Sequence, residues 1–172
     1  MTWAHIHIAS VHLPVIAFPI FLILLAYGMR FKRMEVKRVA LIGLALVSIA
    51  TVPIYLTGEE AEEQVEDIVG VSEHDIEEHE EMALLGFASL LVTGVAALFT
   101  YFAGKMGNSM EPLALKGTLL LALIASILLL LTASLGGRIR HAQEIDGTKT
   151  SAELAVDHSK GKYRHDDDDD DD

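Results

Sequence analysis

The sequence predicts an all-α integral membrane protein: an antiparallel bundle of four transmembrane helices, with an outer acidic amphipathic helix and a polar C-terminal tail. Of the 172 residues, 51% are hydrophobic, and the mean hydropathy is +0.37. The apolar residues occur in long blocks, and most charged residues lie in separate blocks between them. This separation is typical of a protein that crosses a bilayer, because the helices of a soluble domain mix polar and apolar positions.

Four apolar blocks are long enough to cross a hydrocarbon layer of about 30 Å at about 1.5 Å per residue. They cover residues 8–29, 39–56, 82–103 and 112–135. The short connections after the first and third blocks favour antiparallel neighbours. We therefore expect one transmembrane domain over residues 1–145, followed by a flexible acidic tail over residues 146–172.

The distribution of charge predicts the orientation. The connection between the first two spans reads RFKRMEVKR, and the connection between the last two contains Lys105. Cytoplasmic loops are enriched in Lys and Arg, so these two connections are predicted to be cytoplasmic. Residues 59–81 contain twelve acidic residues and no Lys or Arg. This segment and both termini are therefore expected outside, in the periplasm of a bacterial cell whose inner membrane holds the protein.

The long acidic connection also carries a helical pattern. Ala61, Val65 and Ile68 recur at helical spacing, which predicts a short amphipathic helix on the membrane surface. Gly58 is expected to end the second transmembrane helix before it. Ser72 is a suitable N-cap for a helix that continues into the third span.

Composition disfavours several classes of function. The absence of Cys excludes disulfides, thiolate-bound iron–sulfur clusters and covalently attached c-type haem. The spans carry no charged residue at their centres, which counts against a pump or transporter. The acidity is confined to two segments and gives no support for nucleic-acid binding. Neither a nucleophile elbow nor a phosphate loop is present, so a hydrolase is disfavoured.

The eight histidines all fall on the predicted outer side, and three helices bring histidine to one membrane face. His79 has small or apolar helical neighbours, and His141 follows two glycines and stands beside two arginines. A b-type haem needs axial imidazoles, small residues beside its flat ring and cations for its propionates. We therefore predict haem b as the cofactor of a small cytochrome-like electron-transfer protein. The predicted axial ligands are His12, His79 and His141, with His5 in reserve. The glycines Gly86, Gly136 and Gly137 would leave room for the porphyrin ring. Arg138 or Arg140 would bind the propionates.

A non-haem metal site and a cofactor-free accessory subunit are the alternatives. Asp75 and His79 are four residues apart, and His141 and Glu144 are three apart, so each pair shares a helix face. Together with His12 they could bind zinc, manganese or iron. An accessory subunit would instead use its small residues to pack in a larger complex or homo-oligomer within the lipid bilayer.

The segments VHLPVIAFPI, TGEEAEEQVEDIVGVSEHDIEEHEE and LGGRIRH carry a resemblance that covers roughly residues 5–145. Together they resemble a group of small four-span bacterial membrane proteins of unknown function, whose relatives are suspected of binding haem or metal. The resemblance implies that His12, His79 and His141 occupy motif positions. The sequence departs from the group at His5-Ile6-His7, where a His-Pro pair is expected.

Overall fold

The computed structural model describes the backbone of residues 2–65 and 72–162, and the side chains of residues 2–65 and 72–139. The described backbone forms four α-helices and contains no strand. They are α1 (Trp3–Arg30), α2 (Met34–Glu62), α3 (Glu73–Lys105) and α4 (Glu111–Lys162). All four are long and apolar enough to cross a membrane, α4 over Glu111–Ile139. The prediction of four spans is therefore confirmed.

The helices form a bundle in which each helix packs mainly on its neighbours in the chain. α1 contacts α2, α2 contacts α3, α3 contacts α4, and α4 closes the ring against α1. Helices α1 and α3 therefore lie diagonally opposite each other. The short α1–α2 and α3–α4 connections favour this order, because helices joined by a few residues run antiparallel side by side.

The bundle interior is apolar, with small residues and hydroxyls where the helices approach most closely. Phe18, Leu25, Leu44 and Leu90 are fully buried in the core. On lipid-facing sides, apolar residues such as Val95 remain largely exposed. An exposed apolar face is expected of a helix whose solvent is hydrocarbon.

The contact between α2 and α3 depends on Ser48 and Gly94. The Ser48 hydroxyl lies 2.8 Å from the carbonyl oxygens of both Leu44 and Leu90. A Cβ added at Gly94 would lie 2.7 Å from the Cβ of Ser48. Small residues of this kind allow two membrane helices to approach closely, and the hydroxyl links their backbones.

The α3–α4 contact is linked in the same way near the end that carries the basic connections. The hydroxyls of Thr100 and Thr118 are buried and 2.8 Å apart. Beyond them, Glu111 on α4 pairs with Lys37 on α2 at 3.4 Å. At this end of the bundle, a hydrogen bond and an ion pair therefore link α2, α3 and α4.

The segment after the second span differs from the sequence expectation. Gly58 does not end α2: the helix continues to Glu62, and residues 63–65 form a turn. Gly58 has no positive φ, and a glycine ends a helix only where such a conformation is adopted. Ala61 is buried, so the apolar face of this stretch packs on the bundle as part of α2. The rest of the predicted surface helix, residues 66–69, lies outside the described residues.

The start of α3 agrees with the prediction. Ser72 occupies the N-cap position with an extended backbone conformation, although its side chain makes no capping hydrogen bond. At the other end of the chain, α4 continues to Lys162. Its side chains beyond Ile139 are outside the described set, and the flexibility of the tail over 146–172 stays a prediction.

Candidate cofactor site at the histidine end

Two half-buried histidines lie at the end of the bundle that carries the acidic residues, called here the histidine end. The first is His7 on α1, which faces α2. Its Nδ1 lies 3.0 Å from the hydroxyl oxygen of Thr57. A Cβ built on Gly58 would lie 3.4 Å from its Cε1, an ordinary contact distance. The ring of His7 is thus held against α2 by a threonine and a glycine.

The Thr57 hydroxyl determines which nitrogen of His7 carries the proton. That hydroxyl lies 2.6 Å from the carbonyl oxygen of Ile54. Two oxygens this close require a proton between them, and the carbonyl cannot supply it. Thr57 therefore donates to Ile54 and accepts from His7. The neutral His7 ring consequently carries its proton on Nδ1, and its Nε2 has a free lone pair.

His79 on α3 is held against α4 by a similar arrangement. Its Nδ1 lies 3.1 Å from the carbonyl oxygen of Thr132. A Cβ built on Gly136 would lie 3.0 Å from Cε1 of the same ring. Because a carbonyl oxygen only accepts hydrogen bonds, Nδ1 of His79 is the donor. Its Nε2 is then also unprotonated in the neutral ring.

The two histidines form a matched pair across the bundle. Each belongs to one helical hairpin, α1–α2 or α3–α4, and each is fixed by the second helix of that hairpin. They come from diagonally opposite helices at the same end of the bundle. Metal-binding histidines commonly donate Nδ1–H to a backbone or side-chain oxygen, which orients the ring and leaves Nε2 as the ligand atom. Both His7 and His79 are in this state.

His12, a predicted ligand, lies on the outside of α1. Its side chain is exposed, and its Nδ1 lies 2.7 Å from the carbonyl oxygen of Ile8 on the same helix. Its described hydrogen bond does not connect it with His79 or with another helix. His5, the reserve candidate seven residues earlier, is exposed as well and hydrogen-bonds to Thr2. The spacing of these two residues does give a shared face, and that face points away from the bundle.

The predicted glycines have different surroundings. Gly136 lies against His79, as described. Gly86 is buried between α3 and α4, where a Cβ would lie 3.3 Å from the Thr132 hydroxyl. Among the described residues, no atom lies within 4 Å of the Cβ position of Gly137. Gly136 and Gly86 therefore serve close packing of α3 on α4, while Gly137 is in open space.

The charged candidates lie at the rim. Arg138 is exposed, and its guanidinium is 3.8 Å from Glu78, which also pairs with His74 at 3.5 Å. Pairs this exposed contribute little to stability, so the guanidinium is free to exchange partners. Asp75 is half-buried on α3. The side chains of Arg140, His141 and Glu144 lie outside the described residues, and their proposed roles stay predictions.

A closed non-haem metal site gains no support in the part of the chain whose side chains are described. Within it, no group of three or more His, Cys, Asp or Glu residues is placed to hold a metal ion. Structural zinc sites use four protein ligands, and catalytic sites use three. The candidate ligands that the described residues supply inside this end of the bundle are two imidazoles, those of His7 and His79.

No family model, no curated protein and no solved structure matches this chain. The family resemblance drawn from its three segments accordingly stays a prediction. What is established is a small all-helical protein with four helices long and apolar enough to span a membrane.

Sequence reasoning missed His7 and its partner Thr57. A signal was present: Pro14, Phe18 and Leu25 follow His7 at helical spacing, and all three are buried. The pattern could not be recognised, because in a membrane helix the lipid-facing side is as apolar as the core-facing side. Thr132 was missed for another reason. It contacts His79 through its backbone carbonyl, which every residue has, so its side-chain type gives no signal in the sequence.

Proposed function

We propose that this protein is a small membrane electron-transfer subunit that binds haem b through His7 and His79. The observation that carries the proposal is the matched pair itself. Two imidazoles on opposite helices are each oriented through Nδ1 and each present a free Nε2. Haem iron receives four nitrogens from its porphyrin and takes two axial ligands from the protein. The donor set of the described residues fits that requirement better than it fits a bare metal ion.

The neighbouring residues support the same assignment. Gly58 and Gly136 lie against the Cε1 edge of the His7 and His79 rings, respectively, and bring no side chain of their own beside them. Arg138 stands near His79 on the rim, in a weak surface pair, and is available to a propionate. When bound, the haem would supply a one-electron couple; the protein would supply two oriented ligands and a rim that, among the residues whose side chains are described, is acidic apart from Arg138.

The proposed site of electron transfer is the outer face of a bacterial inner membrane. The basic connections are assigned to the cytoplasmic side of a bacterial inner membrane, and the histidine end with both termini to the outer side. Electron exchange would then take place near the outer face. The redox partner would be a larger membrane complex or a second copy of the chain.

An absorption spectrum tests the function. The full-length protein, expressed with a haem supply and purified in mild detergent, is measured before and after dithionite reduction. We expect a Soret band that shifts on reduction and the visible bands of a six-coordinate b-type haem. His7→Ala and His79→Ala should each remove the six-coordinate spectrum. His12→Ala is the matched control and should retain it.

The outcomes separate the candidates. A wild-type protein without a Soret band would overturn the haem assignment. Loss of the spectrum in His12→Ala, with His7→Ala unaffected, would move the ligand to the outer face of α1. A colourless protein that is strongly destabilised by either His7→Ala or His79→Ala would favour a cofactor-free accessory subunit. The reason is that each of these histidines already links two helices by a hydrogen bond.

A further inference from the structure

The two helical hairpins, α1–α2 and α3–α4, share the same arrangement of contacts. In each hairpin a histidine near the start of the first helix, His7 or His79, is hydrogen-bonded by the second helix where that helix reaches the histidine end. At the opposite end of the bundle, a glycine in the last turn of the first helix lies against a charged residue near the start of the second. These glycines are Gly28 and Gly104. The two hairpins are therefore equivalent halves of the bundle.

The charged residues at the equivalent positions have opposite signs. They are Lys37 on α2 and Glu111 on α4, at the end that holds the two short connections, called here the basic end. A Cβ added at Gly28 would lie 2.9 Å from Cγ of Lys37. A Cβ added at Gly104 would lie 3.2 Å from Cδ of Glu111. Each charged side chain thus packs on a glycine of its own hairpin.

The ion pair between these two residues crosses the bundle axis. Nζ of Lys37 lies 3.4 Å from Oε1 of Glu111, and the side chains are 13% and 24% exposed. Their helices are diagonally opposite, because each helix packs mainly on its two neighbours in the ring. The pair of Glu35 with Arg38, in contrast, is more exposed and lies within α2. The partly buried pair therefore joins one hairpin directly to the other, whereas the hydrogen bonds described for the two half-buried histidines each stay within one hairpin.

The opposite signs determine which hairpins can pair. In a two-fold bundle made from two copies of the first hairpin, the residue that meets its counterpart across the axis would be Lys37 in both. Two copies of the second hairpin would bring two Glu111 side chains together. Like charges repel each other more strongly where they are partly buried, because less water screens them. Only a bundle with one hairpin of each kind pairs a cation with an anion. Specific interfaces commonly combine an attractive contact in the correct pairing with repulsion in the wrong one.

We propose that the Lys37–Glu111 pair is a latch by which the α1–α2 hairpin recognises the α3–α4 hairpin. The partner that fits the inner side of the first hairpin at the basic end is one that presents a carboxylate across the axis, as the second hairpin does. The latch holds the two halves in one relative position at this end. The inference does not depend on the haem proposal, because no group of the latch belongs to the histidine end.

The distance between the hairpins at the basic end tests the proposal. The chain has no Cys, so Lys32→Cys with Ser109→Cys places one spin label in each short connection, and both positions are exposed. Double electron–electron resonance of the full-length protein in detergent measures the distribution of distances between the labels. We expect one narrow distribution when the latch is intact. Lys37→Glu should broaden it and shift it to longer distances, because two carboxylates then face each other.

Exchange of the two charges is the strictest variant. Lys37→Glu with Glu111→Lys restores an opposite pair and should return the distribution to that of the unsubstituted latch. Both positions lie near the start of a helix, so the exchange leaves the sum of the helix-dipole interactions nearly unchanged. Lys37→Gln removes the pair without adding repulsion. It should broaden the distribution less than Lys37→Glu does, and it replaces that variant if Lys37→Glu does not fold.

Arg38→Glu is the matched control. It makes the same change of charge on the same helix, one residue away from the latch, and should leave the distribution unchanged. Broadening as large as that of Lys37→Glu would overturn the latch in favour of a general effect of charge at this end. An unchanged distribution in both Lys37 variants would also overturn it. So would an exchanged variant that fails to fold or to restore the narrow distribution. Size-exclusion chromatography shows which variants are folded.

Discussion

A single hydroxyl determines the orientation of His7. The Thr57 hydroxyl donates its hydrogen bond to the Ile54 carbonyl and therefore accepts one from the imidazole. The corresponding acceptor for His79 is a backbone carbonyl, that of Thr132, which no substitution removes. Thr57 is therefore the more informative of the two positions for mutation.

Replacement of Thr57 by Val should weaken haem binding without removing a ligand. Valine has nearly the same shape as threonine and no acceptor, so Nδ1–H of His7 loses the Thr57 oxygen and the ring is less firmly oriented. Loss of such an outer partner typically costs about 10–100-fold in affinity. Haem titration followed at the Soret band measures the change. Thr57→Ser retains the acceptor and should restore most of the affinity. An unchanged affinity in Thr57→Val would show that the threonine does not position the ring.

Two adjacent glycines give a matched test of the packing around His79. A methyl group at Gly136 would lie 3.0 Å from the ring, whereas one at Gly137 would meet no atom of the described residues within 4 Å. Gly136→Ala should displace the imidazole and destabilise the protein by about 1–3 kcal/mol. Gly137→Ala should be neutral or stabilising by up to about 1 kcal/mol, because alanine favours the helix. Thermal denaturation in detergent compares the two; a neutral Gly136→Ala would contradict the described contact.

At the level of the helices, the sequence predicted what hydrophobicity controls and missed what packing controls. The four spans could be located from apolar blocks alone, because the bilayer fixes their minimum length. The end of α2 could not be located from the sequence, because a glycine such as Gly58 can lie inside a helix or end one. Which faces point inward could not be read either. In α1 both His5 and His7 precede one continuous apolar run, and only the structure distinguishes the exposed ring from the half-buried one.

The α2–α3 crossing allows a test of helix packing. Gly94→Ala would place a methyl 2.7 Å from the Cβ of Ser48, too close for either backbone to remain where it is. We expect destabilisation by about 1–3 kcal/mol, the usual cost of overpacking. Gly117→Ala is the control, since its Cβ position is open. A chemical-denaturation series in mixed micelles measures both variants. Equal stability of the two would show that this crossing tolerates separation of the helices.

In the molecule as a whole, acidic and basic residues are segregated to opposite ends of the helix bundle. Acidic residues and the half-buried histidines occupy one end, and the basic connections occupy the other. The two ends are separated by about 30 Å of apolar bundle, the thickness of the hydrocarbon layer. A redox site at the histidine end would therefore face a different compartment from the basic connections. The orientation of the chain decides which compartment each of them meets.

This orientation can be tested with a matched pair of cysteines, because the chain has no Cys of its own. Ser72 and Ser109 are both exposed and lie in connections at opposite ends of the bundle. The Lys and Arg residues beside Ser109 should retain its end in the cytoplasm. A membrane-impermeant maleimide added to intact spheroplasts should thus label Ser72→Cys and leave Ser109→Cys unlabelled until the membrane is permeabilised. The reverse pattern would place the histidine end in the cytoplasm and move the proposed electron exchange to that side.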